Sequence, residues 1–220
     1  MTRVAVVVPV YRNAATLPEL ADRLARALAG RDWHLHLVVD ASPDDSAEVA
    51  RSLPGVKVTA LERNVGQHKA LEHGLAAEPD AGAWVCLDAD LQDPPEAVPL
   101  LLDRLARGDV DAVFAGRRGR YETGLRLLTG RVHRGLVARL TGLPPDAGAF
   151  LALGPRARAE VLAARAPSLV VAVGAARLPV ASLPVERAER AEGTSAWTAR
   201  ARARQSARTL RWVLQARRAR

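Results

Sequence analysis

The sequence predicts an α/β fold, a mostly parallel central sheet flanked by helices, with a basic helical tail at the C-terminus. Three observations carry this reading. Short Val-rich apolar runs of strand length, such as AVVVPV and HLHLVV, recur along the first half of the chain. Between successive runs lie segments with helical spacing, the alternation that strand–helix–strand units require. Directly after three of the runs sit polar and acidic clusters, and open sheets of this kind bind ligands beyond the carboxyl ends of their strands.

Each element has a local reason. Residues 3–10 form the first predicted strand. Thr16 can cap the next helix, Pro18 suits its first turn, Leu17, Leu20, Leu24 and Leu28 make one apolar stripe, and Gly30 stops it. Residues 34–40 are a second strand, and a short helix follows Asp45. A third strand spans 56–61 and leads to a helix from about 66 to 77. The fourth strand, 83–87, runs into a helix opened by Pro94 and Pro95 and closed near Gly108; residues 110–115 are a fifth strand.

Beyond that the rhythm changes. A basic amphipathic helix is expected over 125–140, a Pro/Gly loop over 142–150, a helix over 155–164 and a strand over 178–185. The apolar stretch 166–185 is interrupted by Arg177 and by Pro167, Pro179 and Pro184, and reads as turns and short strands. Residues 195–220 are helical by propensity and place Trp197, Leu210, Trp212, Val213 and Leu214 among many arginines. No internal repeat is present.

With 220 residues, 49% of them hydrophobic, the chain can bury a substantial core as one domain with a C-terminal extension. Cys86 is the single cysteine, which excludes an internal disulfide and a thiolate metal site and fits a reducing cytosol. The N-terminus, MTRVAVVVPV, enters a strand pattern without the features of a signal peptide, so export is disfavoured. No window holds the roughly 18 apolar residues of a spanning helix.

Charge is divided unevenly. Residues 1–110 carry 11 basic and 17 acidic side chains, and residues 111–220 carry 21 and 7, so net charges of −6 and +14 give the overall +8. The first half therefore suits cations and the second suits anions. Thirty of the 32 basic residues are arginine, which binds phosphate by paired hydrogen bonds and lies well at a lipid headgroup layer.

The three clusters are residues 11–13, 40–45 and 88–93, and parallel strands bring them to one sheet edge. Asp88 and Asp90, in the order Asp-Ala-Asp, can both face a divalent ion if the backbone turns sharply after the strand. Hard carboxylate oxygens suit Mg²⁺ or Mn²⁺, and magnesium prefers few protein ligands completed by substrate phosphates. Such a cation would clamp a diphosphate and stabilise its charge as it leaves. On spacing alone the motif is weak, since two loop aspartates are commonly solvated turn formers. The chain has no G-x-G-x-x-G after its first strand and no G-x-x-x-x-G-K-[ST], so dinucleotide and P-loop readings lose their main support.

In order, VVVPVYRNAATLPEL, LVVDASPDDS, RNVGQHKALEHGL, CLDADLQDPPE, PPDAGAFLAL and VERAERAEGTSAW resemble segments of glycosyltransferase family 2 enzymes with the GT-A fold, a Rossmann-like architecture. The resemblance is strongest to the polyprenyl-phosphate branch, which includes dolichyl-phosphate mannose synthases and bacterial undecaprenyl-phosphate sugar transferases of the cell envelope. It covers about residues 4–197 and implies a GT-A domain over 1–194, with a donor and metal half (1–115) and an acceptor half (116–194), before an arginine-rich helix over 195–220.

The implied activity is inverting, metal-dependent transfer of a sugar from a GDP- or UDP-linked donor to a polyprenyl phosphate. The resemblance assigns the metal, Mg²⁺ or Mn²⁺, to Asp88, Asp90 and Gln92. It assigns the donor to Pro9, Tyr11, Asn13, Asp40, Gly66, Gln67 and Asp88, with Gly66 and Gln67 at a helix start where a phosphate can approach the amides. Catalytic roles fall on Asp90, Asp146, Arg117 and Arg131, and acceptor binding on Arg131, Arg190 and Ser195.

The chain departs from the family pattern at several positions. Val39 precedes Asp40 where relatives commonly have two aspartates, and Asn13 replaces a usual glutamate. The segment often seen as DAGDFR reads DAGAFL, with Ala149 and Leu151 in place of a carboxylate and an arginine. A phosphate monoester, with a second pKa of about 6, already carries a nucleophilic oxygen at neutral pH, so a lipid-phosphate acceptor tolerates the missing base. Asp146 is a candidate to position the acceptor or serve as base, and also reads as a turn aspartate.

Alternative readings are the same donor chemistry with a small-molecule or glycan acceptor, a weakened or inactive relative, and an arginine-rich nucleic-acid-binding protein. The last ranks below the others, because aromatic residues are few and the acidic first half opposes a continuous track; no specific nucleic acid is expected. The expected location is cytoplasmic and peripheral on the inner membrane face. There the tail either lies on lipid through Trp197, Trp212 and Leu214 or packs on the domain. His68 reads as a surface histidine and Lys69 as a solvated lysine. His34, His36, His73 and His133 lack metal-ligand spacing.

Overall fold

The computed structural model describes residues 2–118, 135, 138–187 and 199–218. Strand β1 (Val4–Val10) is followed by α1 (Leu17–Ala27), β2 (Trp33–Val39), α2 (Ser46–Ser52), β3 (Lys57–Ala60), α3 (Gln67–Ala76) and β4 (Ala83–Cys86). A 3-10 turn (Pro95–Ala97) then opens α4 (Val98–Leu105), followed by β5 (Ala112–Arg118). β6 (Leu151–Leu153), α5 (Pro155–Ala164), α6 (Leu169–Ala176), β7 (Val180–Glu186) and α7 (Ala199–Arg218) complete the described elements.

The sheet order is β3-β2-β1-β4-β6-β5-β7. Every neighbouring pair is parallel except those made by β6, which runs antiparallel to both β4 and β5. The valine run of β1 is buried along its whole length because helices cover both faces. Val4, Val6, Val8 and Val10 join Leu17, Leu20, Leu24, Leu28, Val98 and Leu101 on one face. Ala5 and Val7 join Leu71, Leu75, Val161 and Val173 on the other, as the period of two along a strand requires. Each fully buried leucine contributes roughly 1.5–3 kcal/mol. Pro9, which lacks a ladder donor, is tolerated in this central strand because pairing with β4 ends two residues earlier, at Val7–Cys86.

Two sequence expectations need correction. The stretch 166–185 contains helix α6, whose Ser168 cap accepts a hydrogen bond from the Val171 amide at 3.3 Å. Pro167 precedes the cap and Arg177, in the left-handed region, ends the helix, so both interruptions lie at its boundaries. Burial of Leu169, Val171, Ala172 and Val173 outweighs the modest helix propensity of valine. Thr16 precedes α1 but makes no side-chain cap to it; its hydroxyl is used elsewhere.

Of the helix expected over 125–140, residues 135 and 138–140 are helical and the remainder lies outside the described residues. In the tail, α7 packs Val213, 2% exposed, against Val171, with Trp212 also turned to the core, while Leu214 is exposed. That orientation favours packing on the domain over a lipid-facing Trp212; Trp197 lies outside the described residues. No single described helix is long and apolar enough to cross a membrane. The pair α5 and α6, which passes together on length and composition, is bent by 109° and contributes to the core.

At the edge of the sheet where β2 begins, His34 and His36 meet Glu78. The distances are 2.7 Å from His34 Nε2 and 2.8 Å from His36 Nδ1, and Lys57 Nζ lies 2.8 Å from the same carboxylate. A cavity of about 340 Å³, lined by Arg3, His34, Lys57, Glu78 and Asp80, opens beside them. Among the described residues no group of three His, Cys, Asp or Glu side chains forms a metal cage.

Candidate functional site

Because β1, β2, β3 and β4 run in one direction, the loops after them share one edge of the sheet. Through the two antiparallel contacts of β6, the ends of β5 and β7 and the start of β6 reach that same edge. All three polar clusters therefore converge, and the second half of the chain adds Asp146 and Arg187.

Backbone strain marks the edge. Arg12, Ala41 and Leu91, each just past β1, β2 and β4, have φ of 57°, 47° and 60°. Left-handed non-glycine residues cost of order 1–3 kcal/mol each and persist where surroundings over-determine them. Those surroundings are visible. The Arg12 amide donates to Ser42 Oγ at 2.7 Å, the Asn13 amide to Ser46 Oγ at 3.0 Å, and the Ser46 hydroxyl donates to Asp44 at 2.6 Å. Burial alone would raise the Asp44 carboxyl, but hydrogen bonds from Ser42, Ser46 and the Ala14 amide hold it below its ordinary value. Asn13 accepts from the Tyr11 amide at 3.3 Å, and Tyr11 itself is exposed at the rim.

Asp40, 3% exposed, accepts from the Val65 amide at 2.7 Å and the Gly66 amide at 2.8 Å. Both carboxylate oxygens thus hold the turn that starts α3, with Asn64 donating to the Asp40 carbonyl at 3.1 Å. Asp40, assigned to the donor by the resemblance, thus also braces the turn that starts α3. Gly66 has φ of 88°, which explains glycine at this turn. Pro9 is buried within β1. His68, read as a surface residue, is half-buried, and burial pushes its ring down to about 4, so it is neutral at physiological pH.

The acidic loop follows β4. Gln67, the first residue of α3, donates its side-chain amide to Asp88 Oδ1. Asp90 accepts from the Gln92 amide at 3.2 Å, which closes the sharp turn that Leu91 requires. Asp93 is 2% exposed, and its Oδ2 has no hydrogen-bond partner among the described residues. Arg187 approaches from the end of β7. Its Nη2 donates to Asp88 Oδ2 at 3.4 Å, and its Nε lies 2.9 Å from Asp93 Oδ1 as a charge contact rather than an aligned hydrogen bond. Two carboxylates on one short loop, a third behind them with an unsatisfied buried oxygen, and no complete protein cage suit a hard divalent cation completed by ligand oxygens. Cys86, directly beneath, is inert because burial and the Asp88 charge push its thiol up.

Beside β5 and β7, Asp146 Oδ1 accepts from Ser182 Oγ at 3.1 Å. A Cβ at Gly116 would lie 2.2 Å from Asp146 Oδ2, so the carboxylate rests on the β5 backbone. Ala149 and Leu151 are both buried, Leu151 within β6, and neither presents polar chemistry to the edge. Arg117 stands in β5, but its side chain, like Arg131, Arg190 and Ser195, lies outside the described residues.

Sequence reasoning missed Arg187, Thr16 and the Ser42–Asp44–Ser46 clamp as parts of this edge. The hydroxyl of Thr16 is 2.7 Å from the Ala89 carbonyl oxygen and 3.0 Å from that of Asn13, so its one proton ties two site loops together. Serines around an aspartate after a strand are a readable signal for such a clamp. Arg187 had its place just past an expected strand and within the segment VERAERAEGTSAW, where only Arg190 and Ser195 were singled out.

Solved structures with the same architecture include glucosyl-3-phosphoglycerate synthase from Mycobacterium tuberculosis in complex with Mn²⁺, uridine diphosphate and phosphoglyceric acid. Its TM-score is 0.74 at 19% identity, over 98% of this chain and 78% of that one, a likeness of fold. An undecaprenyl-phosphate 4-deoxy-4-formamido-L-arabinose transferase from Pseudomonas paraeruginosa is 40% identical over 209 residues, which cover 89% of this chain and 60% of that protein. One of the same name from Sodalis glossinidius is 39% identical over 147 residues, 64% of this chain and 44% of its own length. The chain thus spans at most about 60% of these two relatives. The family model described as glycosyl transferase family 2 matches residues 5–142, the stretch that builds the strained edge and its acidic loop. The chain belongs to glycosyl transferase family 2.

Proposed function

We propose that this chain transfers a sugar, with inversion, from a nucleotide diphosphate donor to a polyprenyl phosphate, using Mg²⁺ or Mn²⁺. The observation that carries the reading is the 40% identity to an undecaprenyl-phosphate sugar transferase over 89% of the chain, a span that includes the acidic loop of β4. Asp88 and Asp90 would hold the cation, with Gln92 beside them. When bound, it would supply positive charge to the diphosphate as the glycosidic bond breaks.

The chain's own residues do the rest. Asp40 anchors the turn before α3, presenting the amides at that helix start to donor phosphates. The loop 11–13, held by Ser42 and Ser46, forms the wall against which a nucleoside lies. Asp146, braced by Ser182, orients the acceptor phosphate, whose nucleophilic oxygen needs no base; this is why Ala149 is compatible with turnover. Arg117, Arg131, Arg190 and Ser195 complete the acceptor side in this reading. The acceptor brings the reaction to the cytoplasmic face of the membrane, with exposed Leu214 and its arginine neighbours a peripheral contact.

The test is transfer of radiolabel from UDP- and GDP-sugars in the presence of undecaprenyl phosphate and Mn²⁺. Label in the organic phase, lost in Asp90→Asn, is expected. Label only in the aqueous phase with a soluble acceptor would move the function to that acceptor, and full activity in chelator would end the metal reading.

A further inference from the structure

We propose that Arg187 competes with the divalent cation for Asp88 and thereby couples metal binding to donor binding. This deepens the proposed function and rests on its assignment of the metal to the acidic loop.

Three observations carry the proposal. Arg187 is a largely buried cation, 13% exposed in its side chain, directly after β7. Its guanidinium spans two carboxylates of the metal loop, Asp88 at 3.4 Å and Asp93 at 2.9 Å. Neither contact is ideal: the first is long, the second is misaligned so that Nε makes no hydrogen bond, and the other Asp93 oxygen, in a residue 2% exposed, has no hydrogen-bond partner among the described residues. A planar fork shared between two acceptors without saturating either can release one of them at modest cost.

A divalent ion seated on Asp88 takes the same carboxylate charge that Arg187 uses. Two cations then face each other across a poorly solvated loop, and their repulsion weakens binding of the metal alone. A nucleoside diphosphate reverses the sign. Its oxygens accept from the Nη2 that Arg187 withdraws from Asp88, while Asp93 keeps the guanidinium in place. Each ligand therefore favours the other, as reciprocal coupling requires. Arg187 also lies three residues before Arg190, so its exchange takes place at the start of the segment expected to meet the acceptor.

The experiment measures Mn²⁺ affinity by electron paramagnetic resonance, with and without UDP or GDP, in wild type and Arg187→Gln. Mn²⁺ alone is expected to bind the variant about five- to tenfold more tightly, with the tightening caused by nucleotide reduced by a similar factor. Arg187→Lys retains a cation for buried Asp93 and covers the case in which the glutamine variant fails to fold. A lysine ammonium contacts one carboxylate at a time, so binary affinity should rise about two- to threefold. A purely structural role leaves binary affinity unchanged or weaker, and that result would overturn the proposal while leaving the metal assignment intact. Absence of Mn²⁺ binding in wild type with either nucleotide would overturn both.

Discussion

The Thr16 hydroxyl and the Ala89 carbonyl oxygen are 2.7 Å apart, a contact that joins the loop after β1 to the acidic loop after β4. It places the strained Arg12 turn and the strained Leu91 turn under one constraint. Thr16→Val keeps the side-chain shape and removes the proton. We expect a stability loss of about 1 kcal/mol and a fall in kcat/KM of about tenfold, read by urea melts and initial rates. Unchanged kinetics would mean that the two loops hold their geometry independently.

Asp40 accepts from two backbone amides at the start of α3. Asp40→Ala leaves both donors without their charged acceptor and should cost about 3 kcal/mol. Asp40→Asn keeps one acceptor and should cost roughly half of that. Nucleotide affinity, measured by calorimetry, is expected to fall in the same order. An alanine variant of native stability with lost affinity would instead indicate direct contact with the nucleotide.

Gly116 offers a way to move Asp146 without deleting it. A methyl group there meets Asp146 Oδ2 at 2.2 Å and Ser182 Oγ at 2.4 Å, so Gly116→Ala must displace the carboxylate. We expect a cost of about 1–3 kcal/mol, with KM for the lipid phosphate rising and KM for the nucleotide sugar unchanged. Equal changes in both constants would detach Asp146 from the acceptor.

The His36–Glu78 pair predicts the acid limb of stability. Burial lowers the His36 pKa below its ordinary value and that of His68 to about 4, so the unfolded chain takes up protons first as pH falls below about 6.5. For Glu78, burial alone would raise the pKa, yet hydrogen bonds from Lys57 and His34 leave it lowered, so its contribution is lost as pH falls below its ordinary carboxyl range. Both signs agree: Tm should fall from pH 7.5 to pH 5 and fall more steeply below pH 4.5. His36→Gln should flatten the first part of that slope, as measured by calorimetry across buffers. A slope unchanged by this substitution would assign the proton uptake to another group.

Much of the first half of the chain was legible because β1, β2 and β4 are largely buried apolar runs, each followed by a polar cluster at the ligand-binding edge. Asp88 and Asp90 were readable for the same reason. The helix α6 was not, because its valines suggest strand, and its burial against Leu143 and neighbouring helices favours the helix instead. The use of Asp40 as a brace was equally hidden, since an aspartate after a strand looks the same whether it faces a ligand or an amide. Arg187 needed the third dimension: it meets Asp88 across 99 residues of chain.

The measurement that bears most directly on the central claim is the anomalous scattering of a crystal soaked with Mn²⁺ and a nucleoside diphosphate. A peak between the Asp88 and Asp90 carboxylates, bridged to the diphosphate and absent in Asp90→Asn, is the predicted result. A well-ordered nucleotide bound at this edge with no metal on either aspartate would contradict it.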